Sequence, residues 1–242
     1  MSIKEIIKNS IYVLSYILNR NHKSKILYYH DIGRKYTDMG TSVEDMKGHI
    51  KALRKAGFEY VPRITSTQNQ LRMCFDDGWA GIYEHRQLLI DEQIVPTVFI
   101  AVDLIGEKGY MTEAQIKELI QLGFIFESHT WSHRDLTEFS GEQLDHELKD
   151  AKDELHRRFG LPFDELCFPL GRFSKLVYHK SLEAGYKLLY TSIDGGGYYD
   201  FLDKKVVCRN FMQSVSPMFA KFYVMGFSKL LFNRALKQHF QK

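Results

Sequence analysis

The chain reads as an α/β protein built on a mostly parallel sheet, open or closed into a barrel. Three observations predict it. Apolar, β-branched or aromatic runs recur at 26–30, 71–75, 95–101, 124–126, 166–168, 188–193 and 206–211, with a shorter one at 59–61. Helical segments with readable ends alternate with these runs, the pattern of βα units. The length of 242 residues and a hydrophobic content of 44% suit one domain with a sizeable core.

Taken in order, residues 3–18 form an amphipathic helix with Ile3, Ile6, Ile7, Val13, Leu14 and Ile17 on one stripe. Ser42 with Asp45, Thr112 with Gln115 and Ser140 with Gln143 have capping-box spacing and start later helices. Gly57, Gly123, Gly160 and Gly185 are placed to end helices in a left-handed conformation. No internal repeat, low-complexity tract or interdomain linker interrupts the alternation.

The net charge of +3 hides a lopsided distribution. Residues 1–27 carry +4, residues 28–203 carry −9, and residues 204–242 carry eight bases and no acid. An acidic body with basic ends excludes a general nucleic-acid binder, which shows a basic stripe with stacking aromatics. It suits an anionic surface contacted by the ends. Cys74, Cys167 and Cys208 each lie in an apolar run and read as buried thiols in a reducing compartment. Residues 11–18 lead into Asn19-Arg20-Asn21 without a small-residue cleavage site, so no export signal is expected.

Chemistry concentrates after the predicted strands. Cys74-Phe75-Asp76-Asp77-Gly78 places two carboxylates where an apolar run turns, so both can reach one pocket. Ser128-His129-Thr130-Trp131-Ser132-His133 supplies two imidazoles with a three-residue gap. Such a histidine pair is weak alone, since roughly 0.4 are expected by chance in this composition. An Asp-Asp-Gly run alone is an ordinary turn. Together they offer the two-histidine, one-carboxylate set that a catalytic zinc takes, with a further position left for water. Pro169-Leu170-Gly171 also follows a strand directly, and in barrels catalytic groups collect at that face.

These residues resemble the polysaccharide deacetylase family of NodB-homology carbohydrate esterases. Phe75-Asp76-Asp77-Gly78 matches its first motif, with Cys74 in place of the usual hydroxyl residue, and His129-Thr130-Trp131-Ser132-His133 matches its second. The likeness covers about residues 25–196 and includes Val95-Pro96-Thr97-Val98-Phe99-Ile100. The resemblance implies a distorted (β/α)7-type barrel over 25–211, which the residue pattern flanks with amphipathic helices at 1–24 and 212–242. It implies a divalent metal, usually Zn2+, held by Asp77, His129 and His133, with Asp76 as general base.

Two departures point to one branch. The late Leu-x-His motif that supplies the general acid is absent from Val206-Val207-Cys208-Arg209-Asn210. Tyr28-Tyr29-His30-Asp31-Ile32 instead resembles a motif of the biofilm poly-N-acetylglucosamine deacetylases, which implies His30 as the acid. Cys167 stands where ordinary members carry an arginine that orients the base, with Arg172 or Arg134 as available substitutes. Pro169 and Gly171 match the family's third motif, Arg-x-Pro-x-Gly, and Asp194 falls where some members keep a supporting aspartate; Arg172, if not a surface ion pair, joins them as a candidate to contact substrate or support the site. Trp131 could wall the substrate or simply pack, and Gly195-Gly196-Gly197-Tyr198-Tyr199 could form an aromatic lid or a turn.

From Pro217 the chain reads as a basic amphipathic helix: Phe219, Phe222, Tyr223, Phe227, Leu230, Leu231 and Phe232 lie among Lys221, Lys229, Arg234 and Lys237. Both terminal helices either pack on the barrel or meet an anionic membrane. The expected activity is removal of an N-acetyl group from an amino sugar of a poly- or oligosaccharide, lipid-linked or free. O-deacetylation and a glycan-binding degenerate barrel are the alternatives. The expected place is cytoplasmic, peripheral at the inner membrane face if the helices bind lipid.

Overall fold

The computed structural model describes residues 3–194, 198–199 and 206–226. Helix α1 (Ile3–Asn19) precedes the barrel strands β1 (Lys25–Tyr29), β2 (Gln70–Phe75), β3 (Thr97–Ile100), β4 (Ile125–Ser128), β5 (Glu165–Cys167), β6 (Leu188–Tyr190), β7 (Val206–Val207) and β8 (Asn210–Phe211). All neighbours among these are parallel, in the order β7-β6-β5-β4-β3-β2-β1-β8. The 206–211 run bridges the sheet's two margins. Val206 pairs with Leu189 of β6, and four residues later Asn210 pairs with Leu27 of β1. The sheet therefore curls into the expected distorted barrel, with a short antiparallel strand, Tyr198–Tyr199, on β7.

The expected caps form. Ser42 accepts from the Asp45 N–H ahead of α2 (Val43–Lys55), and both capping boxes, Thr112 with Gln115 and Ser140 with Gln143, are complete. Gly57, Gly123, Gly160 and Gly185 all have positive φ, between 68° and 92°. Helices pack outside the sheet around Leu27, Tyr29, Met46, Ile50, Leu53, Met73 and Phe75.

Inside, strand alternation builds layers, because residues i, i+2 and i+4 share a face. The lowest layer is polar: Arg72 reaches Thr97 at 3.0 Å and Glu165 at 2.8 Å, and Tyr190 donates to Glu165 at 2.7 Å. The middle layer is apolar, with Ile26, Tyr28, Cys74, Phe99, Cys167, Tyr190 and Val207. Continuing the same alternation by one step places Asp76 and His129 in the top layer, at the C-terminal ends of the strands.

The C-terminal expectation needs correction. Among the described residues, the helix read from Pro217 is a 3-10 turn (Pro217–Phe219) followed by a short helix, Ala220–Met225, which ends at Gly226. Gly226 is extended (φ −93°, ψ 108°) and bridges Arg20; the approach to α1 is close enough that a Cβ there would lie 2.7 Å from the Tyr16 backbone nitrogen. The apolar and basic residues from Phe227 onward, and Gly195-Gly196-Gly197, lie outside the described residues. The short helix packs on α1 through Tyr12 on Tyr223 and Tyr16 on Phe222, with ring centroids 4.8 and 5.0 Å apart.

Candidate active site

Asp76 follows β2 and keeps its inward direction, with its N–H on the Tyr29 carbonyl at 3.0 Å. Asp77 and Gly78 then adopt left-handed conformations, φ 70° and 80°. That turn brings the second carboxylate to the same cavity as the first. An aspartate tolerates the conformation better than most residues. At Gly78 a Cβ would meet Ile100 at 2.9 Å.

Three side chains converge beside Asp77. His129 Nε2 lies 3.3 Å and His133 Nε2 3.0 Å from Asp77 Oδ1. The far nitrogen of His129 donates to the Cys167 carbonyl at 2.7 Å, which leaves Nε2 with a lone pair facing inward. Trp79 donates its indole N–H to the other Asp77 oxygen at 3.0 Å. Asp77 Oδ1 is a buried oxygen without a hydrogen-bond partner of good geometry. Two imidazoles and a carboxylate aimed at one point, with an orphaned buried oxygen among them, fit a divalent cation. Burial works to raise the Asp77 carboxyl, and the two imidazoles outweigh it, holding the group well below the usual carboxylate range.

The loop carrying the histidines is held from outside. Thr130 and His133 have φ of 74° and 58°, conformations that need support. Glu147 provides it by accepting from the Trp131 N–H at 3.2 Å, the Ser132 N–H at 3.0 Å and the Ser132 hydroxyl. Glu147 lies in a π-helical turn, His146–Asp150, which also sets His146 under the Trp131 ring at 4.3 Å. Trp131 is thus packed as well as half-exposed.

Asp76 has a partner that sequence reasoning missed. Arg209, fully buried between β7 and β8, grips it with two parallel bonds of 2.7 and 2.8 Å. Burial works to raise the Asp76 carboxyl, and the guanidinium more than offsets it, so the group stays ionised. Neither expected substitute does this. Arg172 pairs with Asp135 at 2.7 Å, and Arg134 lies over the Phe139 ring. The reason is geometric: the run that joins β6 to β1 carries the Arg209 side chain across the barrel to Asp76. Cys167, where an arginine was missed, leaves room for this approach, with Arg209 3.0 Å from its sulfur. The available signal was an arginine inside the apolar run 206–211.

His30 stands after β1, beside Asp76 on the neighbouring strand, half-buried, with Nδ1 2.7 Å from Gln213 Oε1. Pro169 and Gly171 form a tight buried turn; Gly171 has φ 66°, and a Cβ there would lie 2.4 Å from the Ser192 nitrogen. Asp194 does not reach the carboxylate pair. It accepts from the Phe211 N–H at 3.1 Å and from the Tyr223 hydroxyl, tying the barrel to the C-terminal helix.

The polysaccharide deacetylase family model matches residues 63–189, more than half the chain. YxkH of Bacillus subtilis (strain 168), named for the same family, is 26% identical over 189 residues, 74% of this chain and 67% of that protein. Among solved structures, the Streptococcus pyogenes deacetylase PplD in complex with acetate shares the fold at TM-score 0.73 and 20% identity, over 86% of this chain and 100% of that one. IcaB from Ammonifex degensii does so at TM-score 0.74 and 18% identity, over 85% and 98%. With its carboxylate pair, its histidine pair and its barrel all in place, the chain belongs to the polysaccharide deacetylase family.

Proposed function

We propose that the protein is a metal-dependent hydrolase that removes the N-acetyl group from an amino sugar of a poly- or oligosaccharide, by the mode of the biofilm deacetylase branch. The observation that carries this reading is the division of labour between adjacent carboxylates: Asp77 faces two imidazoles with an unpartnered oxygen, whereas Asp76 is held ionised by Arg209. The fold shared with IcaB and the acetate-bound PplD supports the same reading.

Asp77, His129 and His133 would hold the ion, most naturally zinc with nitrogen and oxygen ligands. A divalent ion in that position supplies Lewis acidity to water and to the acyl carbonyl. Asp76 accepts the proton that water loses on attack, and the Arg209 fork fixes its orientation for that task. Amines leave poorly, so cleavage of an amide needs a proton delivered to nitrogen. His30 delivers it: Gln213 anchors one ring nitrogen and leaves the other for transfer.

The test is acetate release by metal-reconstituted protein from N-acetylglucosamine oligomers and from O-acetylated xylan. Release from the first and little from the second is expected. His30→Ala should then lose amide cleavage far more than ester cleavage, because an alkoxide leaves without prior protonation more readily than an amine. Amide cleavage by His30→Ala at the wild-type rate would remove the acid from the scheme.

A further inference from the structure

Helix α1 is mounted inside out. Its face toward the body carries Tyr12, Ser15 and Tyr16, with Ser15 buried. Its other face carries Ile3, Ile6, Ile7, Leu14, Ile17 and Leu18, each 46–76% exposed. An amphipathic helix on a globular body ordinarily turns its apolar stripe inward. Met218, 73% exposed, extends the patch, and Phe219 closes a shallow groove along Ile6, Val13, Leu14 and Ile17. Contiguous apolar surface of this kind marks an interaction site.

Charge and placement say what covers it. Arg20 and Lys23 are exposed just after the stripe, Lys221 is exposed on the short helix packed against α1, and residues 1–27 carry +4 against −9 for residues 28–203. Pairing the face with a second copy would bring these like charges together, whereas an anionic surface neutralises them. Helix α1 also runs antiparallel to β1. Lys8 bonds to the Ser214 carbonyl at 2.9 Å, next to the Gln213 that anchors His30, while Asn21 bonds to Met225 at the far end. The N-terminal half of the stripe therefore lies at the catalytic end of the barrel.

We propose that the outward apolar stripe of α1 is a docking surface for an anionic lipid bilayer, which holds the catalytic mouth beside saccharide presented at that surface. Docking stands independently of the deacetylase reading; only the purpose of the mouth rests on it. The test is flotation of the full chain with phosphatidylcholine vesicles, with and without phosphatidylglycerol, for wild type and the Ile6→Glu/Ile17→Glu variant. Wild type should float with the phosphatidylglycerol vesicles, less so at high salt. The variant should lose roughly tenfold or more in binding, with its melting temperature and its acetate release from soluble oligomers unchanged. Wild type that stays unbound, or a variant that floats equally well, overturns the proposal. So does a variant that instead dissociates a solution dimer, which assigns the face to a second copy, or one that melts early, which assigns it to the chain's own packing. Vesicle binding without any acetate release would sustain docking and sink the enzymatic reading alone.

Discussion

The barrel interior buries an arginine–carboxylate pair at each end, and the two pairs differ in what surrounds them. At the base, Arg72 bonds to Thr97, Tyr190 and Glu165, and Glu165 also takes Arg63 at 2.7 Å. At the mouth, Arg209 saturates Asp76, but the next residue, Asp77, keeps a buried oxygen without a good partner and two imidazoles turned toward it. A satisfied buried charge cluster holds a fold in one register. A cluster left short of one cation is arranged to bind one. The same alternation of strand residues produces both, so only satisfaction of the polar atoms tells the ends apart.

The sharpest way to break this comparison is at the mouth. His129→Ala should retain the fold, lose bound metal on dialysis, and release acetate at background; metal content by emission spectrometry checks it. Next, removing each arginine should separate the ends. Arg209→Met leaves Asp76 buried without its cation and should cost roughly 100-fold in kcat. It should also move the acid limb of the pH–rate profile to higher pH, since burial then acts on Asp76 without its chief counterweight. Arg72→Met should instead cost ~3–5 kcal/mol of stability, read by urea denaturation, with kcat per folded molecule unchanged.

The base has its own pH signature. Burial, together with the nearby Glu165 carboxylate, pushes Glu127 from 4.5 to about 7. The folded chain then holds a proton that the unfolded chain has released between these values. Stability should fall as pH rises through that window, by at most ~3 kcal/mol. Glu127→Gln, which can still accept from the Glu165 N–H, should flatten that slope in denaturation curves taken from pH 5 to 8. The smallest effect is expected from Trp79→Phe. Losing the indole N–H on Asp77 should weaken metal affinity about tenfold, measured by chelator competition, without a change in melting temperature.

What the sequence made legible was whatever neighbouring residues determine. Asp76 with Asp77 and His129 with His133 are local motifs on strand ends, and the helix caps at Ser42, Thr112 and Ser140 are local hydrogen bonds. Arg209 was not legible because its partner lies 133 residues away and meets it only when the 206–211 run spans β6 and β1. Glu147 was hidden for a different reason: it reaches the histidine loop from a π-turn that no sequence period announces. The outward stripe of α1 was visible as a stripe, but its direction was not. Periodicity gives a face, and packing of Tyr12 and Tyr16 decides which way that face points.

The most direct measurement is acetate release from an N-acetylglucosamine oligomer by metal-reconstituted Asp76→Asn beside wild type. Wild type should turn the oligomer over, and Asp76→Asn should keep its metal and lose activity by roughly 10³-fold, within the range for a positioned general base. Turnover by Asp76→Asn at the wild-type rate, or no acetate from the metal-loaded wild type, would contradict the assignment of this carboxylate as the base of a deacetylase.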